Sequence, residues 1–132
     1  MLERKTTYQR KVNFYETDAQ GVVHHSNYFR YFEEARGYLL EHLGLPYYQM
    51  HNEGFFVVLV EANIRIKHPI VYQDVFSIDT TVDIKNEFSL YFDYKIYVDD
   101  RLCAIGNTKH CIVKDGKLIK IPDFLLRILD AG

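Results

Sequence analysis

Tyr28-Phe29-Arg30-Tyr31-Phe32-Glu33-Glu34-Ala35-Arg36-Gly37-Tyr38-Leu39-Leu40-Glu41-His42-Leu43 is the stretch whose reading decides the fold. Tyr28, Tyr31, Phe32, Ala35, Tyr38, Leu39, His42 and Leu43 recur at helical spacing, while Arg30, Glu33, Glu34, Gly37 and Glu41 fall on the other side. Ser26 or Asn27 can cap the start, because a short side-chain oxygen accepts from a free amide of the first turn. Gly44 and then Pro46 close the helix in the expected order. Its sixteen residues predict a rod about 24 Å long. Glu33 and Arg36, one turn apart, read as an intrahelical ion pair.

So many rings on one helix face have to be covered, and the chain beyond the helix supplies the cover. Phe55 to Val60 is a continuous apolar run that becomes alternating through Ala62, Ile64 and Ile66 until Pro69 stops it. Val75 to Ile84 alternates, as do Leu90 to Val98. Asp99-Asp100 turns the chain into Leu102 to Val113, and Lys114-Asp115-Gly116-Lys117 into a short strand at Leu118 to Ile121. Pro122 opens a short C-terminal helix. Upstream, Tyr8 to Phe14 reads as a strand, and Tyr47 to Gly54 as an irregular patch. The class is α+β: long antiparallel strands curled around one central helix. With 132 residues and no repeat, low-complexity tract or linker, residues 1–132 are expected to form one domain.

A net charge of −2 argues against a nucleic-acid footprint, which needs a basic face. No window is apolar and long enough to span a bilayer. The charged N-terminus Met1-Leu2-Glu3-Arg4-Lys5 has no apolar segment of signal type behind it, so the expected location is cytoplasmic. Cys103 and Cys111 fall eight residues apart on one predicted strand. That is about 26 Å, beyond disulfide reach, so both read as buried thiols. Eleven Tyr and nine Phe supply a core and, beyond it, a pocket or an interface between copies of the chain.

The chemistry concentrates just before the helix, in Tyr15-Glu16-Thr17-Asp18-Ala19-Gln20-Gly21-Val22-Val23-His24-His25-Ser26-Asn27-Tyr28. Asp18 lies too far ahead of the helix body for a simple cap, and Gly21 lets the chain double back so that loop and helix start share one face. Free amides at the helix start, with the positive end of the dipole, can hold the oxygen of a carbonyl under attack. A carboxylate beside them can attack that carbonyl or activate a water. Thioesters suit such equipment, because a thiolate leaves without a strong general acid. His25 can orient a substrate, share a hydrogen bond with Asp18, or simply pack. Metal binding by His24, His25 and Asp18 is disfavoured: adjacent histidines are expected to point apart, and no zinc-type spacing occurs. The chain also lacks a nucleophile elbow and a phosphate-cradling glycine pattern.

From Phe14 to Arg36 the sequence resembles the opening motif of the 4-hydroxybenzoyl-CoA thioesterase family, in particular its small Tol–Pal-associated acyl-CoA thioesterases. The shared pattern is Y-x-E-T-D-x-x-G-V-V-x-H-x-N-Y followed by Y-F-E-x-A-R. The resemblance implies a hotdog fold, dimers that pair edge to edge and often pair again into tetramers, and hydrolysis of acyl-CoA without metal or organic cofactor. Asp18 matches the family's catalytic carboxylate and His25 the motif histidine, whose backbone amide polarises the thioester carbonyl. Tyr15, Gly21, Val22 and Asn27 are the candidate substrate-contacting residues around them. Where the family carries an upstream tyrosine, Phe14 and Tyr15 stand side by side. Arg65, Lys67, Lys85 and Lys109 are available to CoA phosphates, though each also reads as an ordinary solvated residue. Two other readings use the same fold: a hydratase or dehydratase moving protons on an enoyl thioester, and a non-catalytic acyl-thioester binder.

Overall fold

The computed structural model describes residues 4–131; Met1 to Glu3 of the charged N-terminus lie outside them. The elements in order are β1 (Lys5–Lys11), α1 (Ser26–His42), α2 (Tyr47–Asn52), β2 (Phe55–Ile66), β3 (Val75–Asn86), β4 (Ser89–Val98), β5 (Arg101–Lys114), β6 (Lys117–Ile119) and α3 (Asp123–Ala131). The strands form one antiparallel sheet in the order β1-β3-β4-β5-β2, with β6 paired to the end of β5. The sheet wraps α1, the α+β hotdog arrangement that the motif implies.

The periodicity of α1 translates directly into packing. Tyr28, Tyr31, Phe32, Ala35 and Leu39 are buried against the inward residues of the sheet, Phe76, Ile78, Phe92, Tyr94 and Ile96. Phe32 stacks on Tyr94 with ring centroids 4.2 Å apart. This close seat requires Gly106 on β5, where any Cβ would collide with the Phe32 ring. Each fully buried ring or aliphatic chain is worth about 1.5–3 kcal/mol of transfer free energy. The helix ends as expected: Gly44 takes a left-handed φ of 79°, and the amides of Leu45 and Gly44 bond back to the carbonyls of Leu40 and Glu41 at 2.7 and 3.0 Å.

Several sequence expectations are corrected. The first strand ends at Lys11, not Phe14, because the Asn13 amide donates to the Glu16 carboxylate at 2.9 Å and winds Phe14–Glu16 into a 3₁₀ turn. Tyr47 to Asn52 is helical rather than irregular, its first turn pre-set by Pro46 at φ −63°. The apolar run and the alternation after it form one strand, β2, as expected, with a register shift between Leu59 and Glu61. Cys103 and Cys111 are free thiols on β5 as expected, but Cys111 is only half-buried. No described helix is long and apolar enough to cross a membrane.

The two edges of the sheet differ. β1 offers Lys5, Thr7, Gln9 and Lys11 outward. β2 leaves Phe56, Val58, Leu59 and Val60 between 41% and 51% exposed. An edge of the first kind discourages pairing with another chain, and one of the second kind invites it.

Candidate active site

The Asp18 stretch folds as a tight reversal. Thr17 and Val23 form an antiparallel bridge, the Asp18 amide donates to the Val22 carbonyl at 2.9 Å, and the Gly21 amide returns to the Asp18 carbonyl at 3.0 Å. Gly21 has φ 79°, a conformation that L side chains rarely adopt, and this is what its position demands. The far side of the reversal is stitched to residues 70–72: Val23 N donates to Ile70 O at 2.7 Å, Tyr72 N donates to Gly21 O at 3.1 Å, and Val22 bridges Val71.

Asp18 stands exposed at the base of this reversal. One carboxylate oxygen, Oδ1, accepts from the Gln20 amide at 2.8 Å and at long range, 3.4 Å, from Val22. Among the described residues Oδ2 has no hydrogen-bond partner. Across the reversal the chain runs directly into α1. The amides of Asn27 and Tyr28 bond to His24 O and His25 O, whereas no described residue accepts from the amide of His25. A solvent-facing carboxylate in the reversal and an unpaired amide at the head of a seventeen-residue helix are therefore separated by only six intervening residues.

His24 takes the capping role expected of Ser26 or Asn27. Its Nδ1 accepts from the Ser26 amide at 3.2 Å and faces Ser26 Oγ at 2.8 Å, so α1 begins at Ser26. The two histidines do not point apart. Their rings lie 4.1 Å apart at 32°, because the cap turns His24 back over His25. Tyr15 is 78% exposed, its phenol oxygen accepting from Asn13 Nδ2 at 3.1 Å. Beside it Phe14 packs edge-on against Tyr72 at 5.3 Å. Gly21 and Val22 are half-buried in the reversal itself. Asn27 is buried, and its Nδ2 is committed to the Glu16 carbonyl at 2.8 Å, so its side chain supports the helix start from inside.

Glu16 is the residue that sequence reasoning passed over. It is 4% exposed and accepts from Arg10 Nη1 and Nη2 at 2.7 and 2.6 Å, and from Tyr31 Oη at 3.0 Å. Burial works to raise its carboxyl, but the donors Arg10, Asn13 N and Tyr31 outweigh burial and hold it below the usual range. The signal was available in principle: Arg10 and Glu16 flank a turn, and Tyr31 lies on the inner helix face.

The expected Glu33–Arg36 ion pair does not form among the described residues. Arg36 instead turns inward, donating from Nε to Tyr47 Oη at 2.8 Å and from Nη1 to Tyr94 Oη at 3.0 Å. Of the candidate phosphate-binding cations, Lys85 and Lys109 flank the Tyr91 ring at 4.9 and 5.8 Å, while Arg65 and Lys67 are exposed. A groove of about 520 Å³ runs over the outer face of the sheet between Asp79, Asp93, Lys95 and Asn107, away from the Asp18 turn.

Known proteins are similar to this chain in sequence and fold. An Aquifex aeolicus protein provisionally named an esterase is 49% identical over 122 residues, covering 92% of this chain and 95% of that one. The 1,4-dihydroxy-2-naphthoyl-CoA hydrolase of Thermosynechococcus vestitus is 32% identical over 121 residues, covering 88% and 82%. The crystal structure of 4-hydroxybenzoyl-CoA thioesterase from a Pseudomonas species superposes with a TM-score of 0.86 over 95% of this chain and 99% of that one; at 21% identity this speaks for the fold alone. The model of the thioesterase-like superfamily matches residues 12–129, and the chain belongs to that family.

Proposed function

We propose that this protein hydrolyses acyl-CoA thioesters to a free acid and CoA, with Asp18 as the reacting carboxylate and the His25 amide as the oxyanion donor. The observation that carries the reading is an exposed carboxylate in the reversal that leads, within seven residues, to an unpaired amide at a helix start. A thioester carbonyl seated on that amide gains negative charge as it is attacked, and the amide and helix dipole stabilise the charge. Asp18 either adds to the carbonyl, expelling CoA thiolate and leaving an anhydride that water cleaves, or takes a proton from a water that adds directly. The route needs neither metal nor organic cofactor. His25 orients the thioester, Tyr15, Gly21 and Val22 wall the site, and Asn27 serves as support. Acyl groups of the aromatic kind named for the Thermosynechococcus relative head the substrate panel.

Residues 1–132 act as one domain, assembled at least as a homodimer and as a homotetramer if dimers pair again. The apolar β2 edge is the natural contact, since pairing with a second β2 satisfies its open backbone groups and covers Val58, Leu59 and Val60. A cytoplasmic location, with acyl-CoA as the partner molecule, completes the reading.

Thiol release from an acyl-CoA panel tests it. Asp18→Asn keeps the shape and removes the charge, and turnover is expected to fall by about 10² or more with binding changed far less. Full activity in a folded Asn variant ends the catalytic reading. Label in the Asp18 carboxylate after single turnover in ¹⁸O water would establish the anhydride route, because a water activated by Asp18 leaves its oxygen only in the product acid. Sedimentation as a 15.7 kDa monomer at micromolar concentration would refute the dimer.

A further inference from the structure

We propose that Glu16 is a positioning residue, one that holds the Asp18 carboxylate in register with the His25 amide. This rests on the hydrolase reading above. Glu16 binds both banks of the reversal at its base. Its carboxylate is held by Arg10 of β1, by the Asn13 amide and by Tyr31 of α1. Its carbonyl accepts from the His24 amide at 2.9 Å and from Asn27 Nδ2 at 2.8 Å. The residue two places before Asp18 is thus bonded directly to the residue just before His25, and through Tyr31 to the body of the helix.

The remaining bonds near Asp18 are weaker guides. Those to Gln20 and Val22 are internal to the turn and exposed, and those to residues 70–72 hold only its far bank. Only the Glu16 contacts join carboxylate, helix start and sheet in one buried, charge-assisted cluster. The reacting groups themselves are exposed, so no packing fixes their separation. A site whose rate depends on placement within a fraction of an ångström needs such a support.

Glu16→Gln keeps the shape but sets an amide against the Arg10 donors, while Glu34 still pairs Arg10 at 2.7 Å. In the folded variant kcat is expected to fall about 10-fold or more with KM within a few-fold. In an Asp18→Asn background the same change should lower the residual rate less than about 2-fold, because misplacing a carboxylate that is already gone has no further effect. Glu34→Gln, which weakens the Arg10 pairing without touching the turn, should keep kcat. Should Glu16→Gln fail to fold, Tyr31→Phe removes one donor to the same carboxylate and should lower kcat by a smaller factor, again only when Asp18 is present. A role in stability alone would lower the melting temperature and leave kcat per folded molecule unchanged. An equal loss in both backgrounds would likewise overturn the proposal. If Asp18→Asn is itself fully active, the assignment of Asp18 as the reacting carboxylate fails instead.

Discussion

Two arginines are carried into the interior, and their surroundings are opposite. Arg10, from β1, is clamped between Glu16 at 2.6 Å and Glu34 at 2.7 Å, over the Tyr31 ring at 4.7 Å. Arg36, from α1, is 8% exposed and has no carboxylate within ion-pair distance among the described residues. It is held by the hydroxyls of Tyr47 and Tyr94, and beyond them by Thr108 and His110. For Arg10, burial opposes the charge, but Glu34 and Glu16 outweigh it and raise the guanidinium further. For Arg36 burial likewise opposes the charge, and the opposing gain comes from Tyr94 and Tyr47 alone, with no carboxylate. One network sets two carboxylates against its guanidinium and is tied to the Asp18 turn; the other leaves a net positive charge inside. That charge adds to burial in pushing His110 down to about 3, so its ring stays neutral in ordinary buffers.

The comparison can be broken first at Arg10. Arg10→Met strands the buried Glu16 carboxylate, and chemical denaturation should show a loss of about 3–5 kcal/mol, the scale of an uncompensated buried charge. Arg36→Met should cost less, about 1–2 kcal/mol. It removes a cation and leaves Tyr94 bonded to Thr108, with Tyr47 as the one orphaned hydroxyl. Equal losses in the two variants would mean that neutral partners matter as much as charged ones.

The smallest effect is on pH dependence. His110 has a folded pKa depressed below its ordinary 6.5, so the unfolded chain binds the extra proton, and its stabilisation is complete above about pH 6.5 and fades as pH falls toward 3. Glu16, lowered from 4.5, contributes fully above that value and is lost only as pH falls through its lower folded pKa. Melting temperatures should therefore decline between pH 6.5 and 4.5 in the parent and decline less in His110→Gln. An unchanged slope in that variant would remove His110 as the cause.

How far the sequence could be read follows from where each interaction runs. The helix from Tyr28, the alternation of β3 and β4 and the hairpin turns are local patterns, legible because one face of each element is buried. The Phe14 error came from a capping contact three residues long, whose glutamate also serves Arg10 and Tyr31. The Tyr47 helix was missed because six residues carry too little periodicity to separate from a loop. Asp18 and His25 could be proposed from the sequence because carboxylate, turn glycine and helix start sit within a few residues. Glu16, between them in kind and adjacent in sequence, was missed because its partners lie as far away as Tyr31.

The sequence by itself determined the central helix, the antiparallel strands and their α+β class, and it marked the Asp18 stretch as the candidate site, since these rest on spacing along one chain. Only the tertiary structure decided which charges meet. Arg36 left Glu33 for two tyrosines, one of them 58 residues away on β4. The reason is physical: burial makes an unpaired polar atom costly, so a buried guanidinium takes the acceptors that packing brings within reach, and that is a property of the folded shape rather than of neighbouring letters.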